Sequence, residues 1–97
     1  MNILLVPPSD KELDDAITYY NTQNTILGKR FYHAFLESTE HIIATPDLWP
    51  KVGSTTFKKQ ILPFSYFILY MIVDDEIQIT CISHQRRSPR YYTGREK

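Results

Sequence analysis

Near the end of the chain, His84-Gln85-Arg86-Arg87-Ser88-Pro89-Arg90-Tyr91-Tyr92 packs one imidazole, three guanidiniums and two phenols into nine residues. Arg forms forked contacts with phosphate or carboxylate, and His has the side chain whose ordinary pKa lies nearest neutrality. Two chemistries suit the set. One is recognition of an acidic surface by the Arg cluster, which needs no tuned acid or base. The other is metal-independent cleavage of RNA. There a neutral His84 takes the proton of a 2′-hydroxyl, Arg87 with Lys58 or Lys59 stabilises the charge building on phosphorus, and Tyr91 or Tyr92 stacks on an unpaired base. A lone His at the end of a strand more often makes a structural hydrogen bond than a catalytic one, so recognition is the less demanding reading.

Other titratable groups are poorer candidates. His33 and His41 fall among polar neighbours on a predicted helix. Asp14-Asp15 lies on the exposed side of a helix and Asp74-Asp75 in a turn, without the surroundings of a catalytic dyad. Metal-ligand spacing, a Gly-rich phosphate loop and a Ser-His-Asp arrangement are not evident, so no cofactor and no metal is expected. Cys81 is the single cysteine and has no internal disulfide partner.

The chain has 97 residues, 42% hydrophobic and 23% charged, which bounds it to one domain, residues 1–97, with a modest core. Twelve Phe and Tyr residues plus Trp49 argue against disorder. No apolar run approaches the roughly 20 residues that span a bilayer, and the N-terminus lacks the features of a signal peptide. The cytoplasm is the expected compartment, with no membrane partner. A formal net charge of zero hides an asymmetry: residues 1–50 carry three Lys/Arg against seven acids, residues 51–97 eight against four. The basic half contains the tail, which fits a nucleic-acid or acidic-protein partner.

Several elements must position this tail. Ile3 to Val6 reads as a strand stopped by Pro7-Pro8, and Ser9 to Glu12 matches a capping box. Leu13, Ala16, Ile17 and Tyr20 then follow at helical spacing, with a turn expected over Asn21 to Asn24. Thr25 is the expected cap of a second helix carrying Leu27, Phe31, Ala34, Phe35, Ser38 and Ile42 on one side, ended by Pro46 and Pro50. The period then changes. Residues 55–62 read as a strand, Tyr66 to Val73 as a central strand apolar on both parities, Asp74-Asp75 as a tight turn, and Glu76 to His84 as the returning strand.

The order β-α-α-β-β-β predicts an α+β domain, a helical hairpin on one face of a small, mostly antiparallel sheet. Strict alternation along the last strand sends Ile77, Ile79 and Cys81 towards the helices and Gln78, Thr80, Ile82 and His84 away from them. It places Lys58 and Gln60 on that same outer face. Helices cover only one side, so an apolar strip of Tyr66, Ile68, Tyr70 and Ile82 is the expected partner site. The basic contact surface is expected at Lys58, Lys59, Arg86, Arg87, Arg90 and Tyr91.

The chain resembles the RelE/ParE superfamily, the toxins of type II toxin–antitoxin modules, over nearly its whole length. The resemblance rests on Glu12-Leu13-Asp14-Asp15-Ala16-Ile17 with Tyr19-Tyr20, on Leu27-Gly28-Lys29-Arg30-Phe31, and on Pro46-Asp47-Leu48-Trp49-Pro50. It continues through Leu62-Pro63-Phe64-Ser65-Tyr66-Phe67-Ile68-Leu69-Tyr70 to the tail from His84 to Tyr92, with Arg95. It implies a growth inhibitor neutralised by a cognate antitoxin, which would then occupy the strip at Tyr66, Ile68, Tyr70 and Ile82. RelE-like members cut mRNA in the ribosome, and His84, Arg87 and Tyr92 would carry that chemistry here. ParE-like members inhibit DNA gyrase by binding. The RelE pattern expects a cation on the third strand, yet no Arg occurs from Pro63 to Val73. That gap and the long helical hairpin favour the ParE-like branch, so a binding inhibitor is expected, with the endoribonuclease as the alternative.

Overall fold

The computed structural model describes residues 1–95. β1 (Asn2–Leu5), α1 (Ser9–Gln23), α2 (Thr25–Ala44), β2 (Phe57–Gln60), β3 (Tyr66–Val73) and β4 (Glu76–His84) follow in order, then a short 3-10 turn, Pro89–Tyr91. The domain is α+β. Its two helices pack on one face of a four-stranded sheet of order β1-β4-β3-β2, in which β1 and β4 are parallel and the other pairs antiparallel. Among the described residues, no helix is long and apolar enough to cross a membrane.

The helical hairpin turns on one residue. The Asn24 N–H donates to the Tyr20 carbonyl at 3.0 Å, and its side chain accepts from the Ile26 amide at 2.8 Å. Asn24 therefore ends α1 and caps α2, a role expected of Thr25, and α1 runs on to Gln23. The capping box expected at Ser9 and Glu12 does not form. Ser9 Oγ donates instead to the Ile79 carbonyl at 2.9 Å, and Glu12 Oε1 accepts from the Ile82 amide at 3.0 Å. Both side chains turn from their own helix to backbone groups of β4, and so they pin α1 to the sheet.

Asp74 and Asp75 both have positive φ, 49° and 62°. This is the left-handed pair that a two-residue hairpin turn requires, and Asp tolerates it better than most residues. Further along the β3–β4 ladder the register jumps from Tyr70 opposite Ile79 to Leu69 opposite Cys81. Thr80 is thus the extra residue of a β-bulge, which inverts the alternation beyond it.

That bulge corrects the expected facing of β4. Ile77 and Ile79 do face the helices, but so does Ile82, while Cys81 joins Phe67 and Leu69 on the opposite side. The strip expected to await an antitoxin is covered by the chain's own helices: the bulge turns Ile82 inward, while Tyr70, opposite Ile79, puts its side of β3 on the helices. Ile68, Tyr70 and Ile82 are buried in the helix-side core, and Tyr66 packs against it half-buried. The outer face is closed too, by the tail, with Tyr92 against Phe67.

Candidate functional site

Beyond the bulge, His84 ends β4 on the helix side, opposite Tyr66 in the ladder. Its ring meets the Tyr66 ring edge-on at 5.2 Å. His84 Nδ1 accepts from the Arg86 amide at 3.0 Å, and the His84 carbonyl accepts from the Arg87 amide at 3.0 Å. The Gln85 amide donates to Ser65 at 2.9 Å and its side chain to Gln60 Oε1 at 2.7 Å. The turn after β4 is therefore fixed at both flanks. Ser88 then caps the 3-10 turn, its Oγ accepting from the Arg90 amide at 3.3 Å.

The tail and α1 enclose a cleft of about 270 Å³, lined among others by Asp15, Tyr19, Tyr66, His84, Arg87 and Tyr91. Tyr91 takes two guanidiniums on its ring, Arg87 at 4.1 Å and Arg95 at 4.7 Å from the centroid. Glu12 beside it, then burial, raises the Tyr91 phenol above its ordinary value. Burial raises the Tyr66 phenol as well, with Arg87 opposing. Both hydroxyls stay protonated at neutral pH, that of Tyr91 engaged by Glu12. Asp15 is engaged by Lys11 at 2.9 Å.

Glu12 closes the floor. Arg95 Nη1 donates to Glu12 Oε1 at 3.1 Å and to the carbonyl of the bulged Thr80 at 2.9 Å. The second oxygen, Oε2, is buried with no hydrogen-bond partner among the described residues. This ion pair ties the end of the tail to the bulge. Sequence reasoning read Glu12 as a helix cap and as part of a family motif, not as part of the site. Its place one residue before Leu13 and four before Ala16, on the margin of the buried stripe of α1, was the available signal.

The two lysines part company. Lys58 lies on the outer face, Nζ 4.5 Å from the Phe67 ring centroid. Lys59 is buried on the helix side, Nζ 4.4 Å from the Trp49 ring, and burial lowers its pKa against the influence of Glu37. Lys59 is thus withdrawn from the basic surface on which it was expected. Lys58 and His84 stand on opposite faces of the sheet, so the set expected on one face is split. The tail alone brings His84, Arg87 and Tyr91 together. Tyr92 is not with them; it packs edge-on against Phe67 at 5.7 Å. Arg86 and Arg90 are exposed, with no carboxylate partner among the described residues.

The cleft mixes donors, Arg87, His84 Nε2 and the Tyr66 phenol, with the carboxylates of Glu12 and Asp15. The exposed guanidinium of Arg87 on the Tyr91 ring suits an anionic or planar group. Among the described residues, no cluster of three His, Cys, Asp or Glu side chains could hold a metal ion. No protein-family model matches the chain, and no curated protein matches it.

Proposed function

We propose that the protein is a growth-inhibiting toxin of the ParE-like kind. It acts by binding a cellular target through its basic tail, with DNA gyrase the favoured target, and a cognate antitoxin neutralises it. The motifs that resemble the RelE/ParE superfamily support this reading, and so does the β-α-α-β-β-β fold with its helices of 15 and 20 residues.

One observation favours binding over cleavage: the hydrogen bond from the Arg86 amide to His84 Nδ1. A neutral imidazole carries one proton. With Nδ1 accepting, that proton sits on Nε2, so the nitrogen left to the cleft donates, whereas a general base must offer a lone pair. The separation of Lys58 from His84 points the same way. A ribosome-dependent mRNA endonuclease is the second reading, favoured by the convergence of His84, Arg87 and Tyr91 on one cleft.

Expression without antitoxin, followed by pulse-labelling of DNA and protein synthesis, tests both. An early stop in DNA synthesis is expected, together with its loss when Arg86 and Arg87 are both changed to Glu and retention of toxicity in His84→Ala. An early stop in protein synthesis with cut mRNA, abolished by His84→Ala, would establish the endonuclease instead. No growth defect would remove the toxin claim.

A further inference from the structure

A helix laid on a sheet ordinarily turns polar residues to solvent. The outward side of α2 departs from this, exposing Ile26 at 59%, Tyr32 at 42%, Leu36 at 39% and Ile43 at 42%. The inward residues of α2 are Gly28, Phe31, Phe35, Ser38 and Ile42. At 100° per residue, the four exposed apolar side chains fall within about 60° of one direction, itself about 140° from the centre of the buried stripe, with Tyr32 nearest its edge. Lys29, His33 and Glu40 share that side and are exposed.

The order of the charges is informative. Lys29 precedes Leu36 and Glu40 follows it, and neither has an ion-pair partner among the described residues. They are eleven residues, about 16 Å, apart along the axis, too far to pair within one helix. A second α2 laid antiparallel on the first, about a two-fold axis passing between residues 34 and 35, brings Lys29 level with Glu40 of the second copy. The same operation sets Ile26 against Ile43 and His33 against Leu36, with Tyr32 beside the axis. A parallel arrangement would instead set Lys29 on Lys29 and Glu40 on Glu40. The face is therefore complementary to itself under the symmetry that a closed dimer requires.

We propose that this face of α2 is a self-association surface and that its occupant is a second copy of the chain, packed antiparallel, α2 on α2. The proposal is independent of the target of the tail.

Sedimentation equilibrium of the full chain tests it. A dimer in the micromolar range is expected, and Leu36→Glu is expected to give a folded monomer by circular dichroism. Lys29→Glu and Glu40→Lys should each weaken association about tenfold, since every reversal acts twice across a two-fold interface. The double variant Lys29→Glu/Glu40→Lys should recover it, because the exchanged charges still meet. A wild-type monomer at about 100 μM, well above an ordinary micromolar affinity, would overturn the proposal and leave the face to a different protein. So would a dimer indifferent to the charge reversals, or a double variant no tighter than the single ones. The charge series uses exposed positions, so it decides the matter even if Leu36→Glu fails to fold.

Discussion

The two faces of the sheet are closed by different means. On the helix side, twelve buried residues from both helices and from β2, β3 and β4 and the residues beside them form one core, with Phe31, Tyr70, Ile68 and Ile79 fully enclosed. On the outer side, Phe67, Leu69 and Cys81 are covered by Tyr92, and the tail is held by the pair between Arg95 and Glu12. Regular elements with large apolar area close the first face. A short irregular segment, one ring and one ion pair close the second. The first supplies the stability of the fold; the second is the side that local opening would free first.

The largest test of this contrast is Phe31→Ala. Phe31 is stacked on Tyr20 at 5.2 Å and meets Phe64 and Tyr66 edge-on at 5.2 Å each. Truncation removes the hub of that cluster and leaves a cavity, at a cost of about 4 kcal/mol. Urea unfolding should show a lower midpoint with an unchanged slope. A loss under about 1 kcal/mol, well below the usual range for a buried Phe, would show that the helix face does not carry the stability assigned to it.

The next effect comes from the outer face. Arg95→Met leaves the buried Glu12 carboxylate without its cation, and removing one partner of such a pair costs about 3 kcal/mol. Arg95→Met with Glu12→Gln together should cost clearly less than the sum of the two single changes, because the second removes the stranded charge. Additive losses would mean that the pair is not the clasp of the tail.

How far the sequence disclosed these two faces depends on one residue. Periodicity located both helices and the central strand, since α1 and α2 each bury a single stripe. It also set the facing of Ile77 and Ile79 correctly. Past Thr80 it misplaced everything, because Cys81 and Ile82 are both apolar and either can face a core. The bulge is held by Arg95, fifteen residues further on, and that contact leaves no local trace in the strand. The same gap put His84 on the wrong face, beside Lys58, and turned Ile82 outward; the rest of the strip was misplaced because the pairing of Tyr70 with Ile79 was not drawn from the hairpin register. The tail's composition was legible and its division was not. Tyr91 and Tyr92 read alike in sequence, yet one lines the cleft and the other closes a core.

The smallest effect separates those two roles most cleanly. Tyr92→Ala removes the edge-on contact with Phe67 and part of the cover over Cys81, at about 1–2 kcal/mol. Cys81 reports the change. In the intact protein burial, then Glu12, pushes its thiol from 9.0 up to about 12. Between those values an unfolded chain ionises the thiol while the folded chain keeps it protonated. Stability is therefore unaffected by this group below pH 9 and falls above it, by at most about 1.4 kcal/mol per pH unit. In Tyr92→Ala the thiol moves back towards its ordinary value, so this alkaline decline should flatten, and reaction with a disulfide reagent at pH 8 should quicken. Tyr91→Ala should change neither, since Tyr91 stands outside the outer core. If the thiol of Tyr92→Ala reacted only as fast as its global unfolding allows, the tail would be part of one cooperative core. The two faces would then differ in composition and not in how they open.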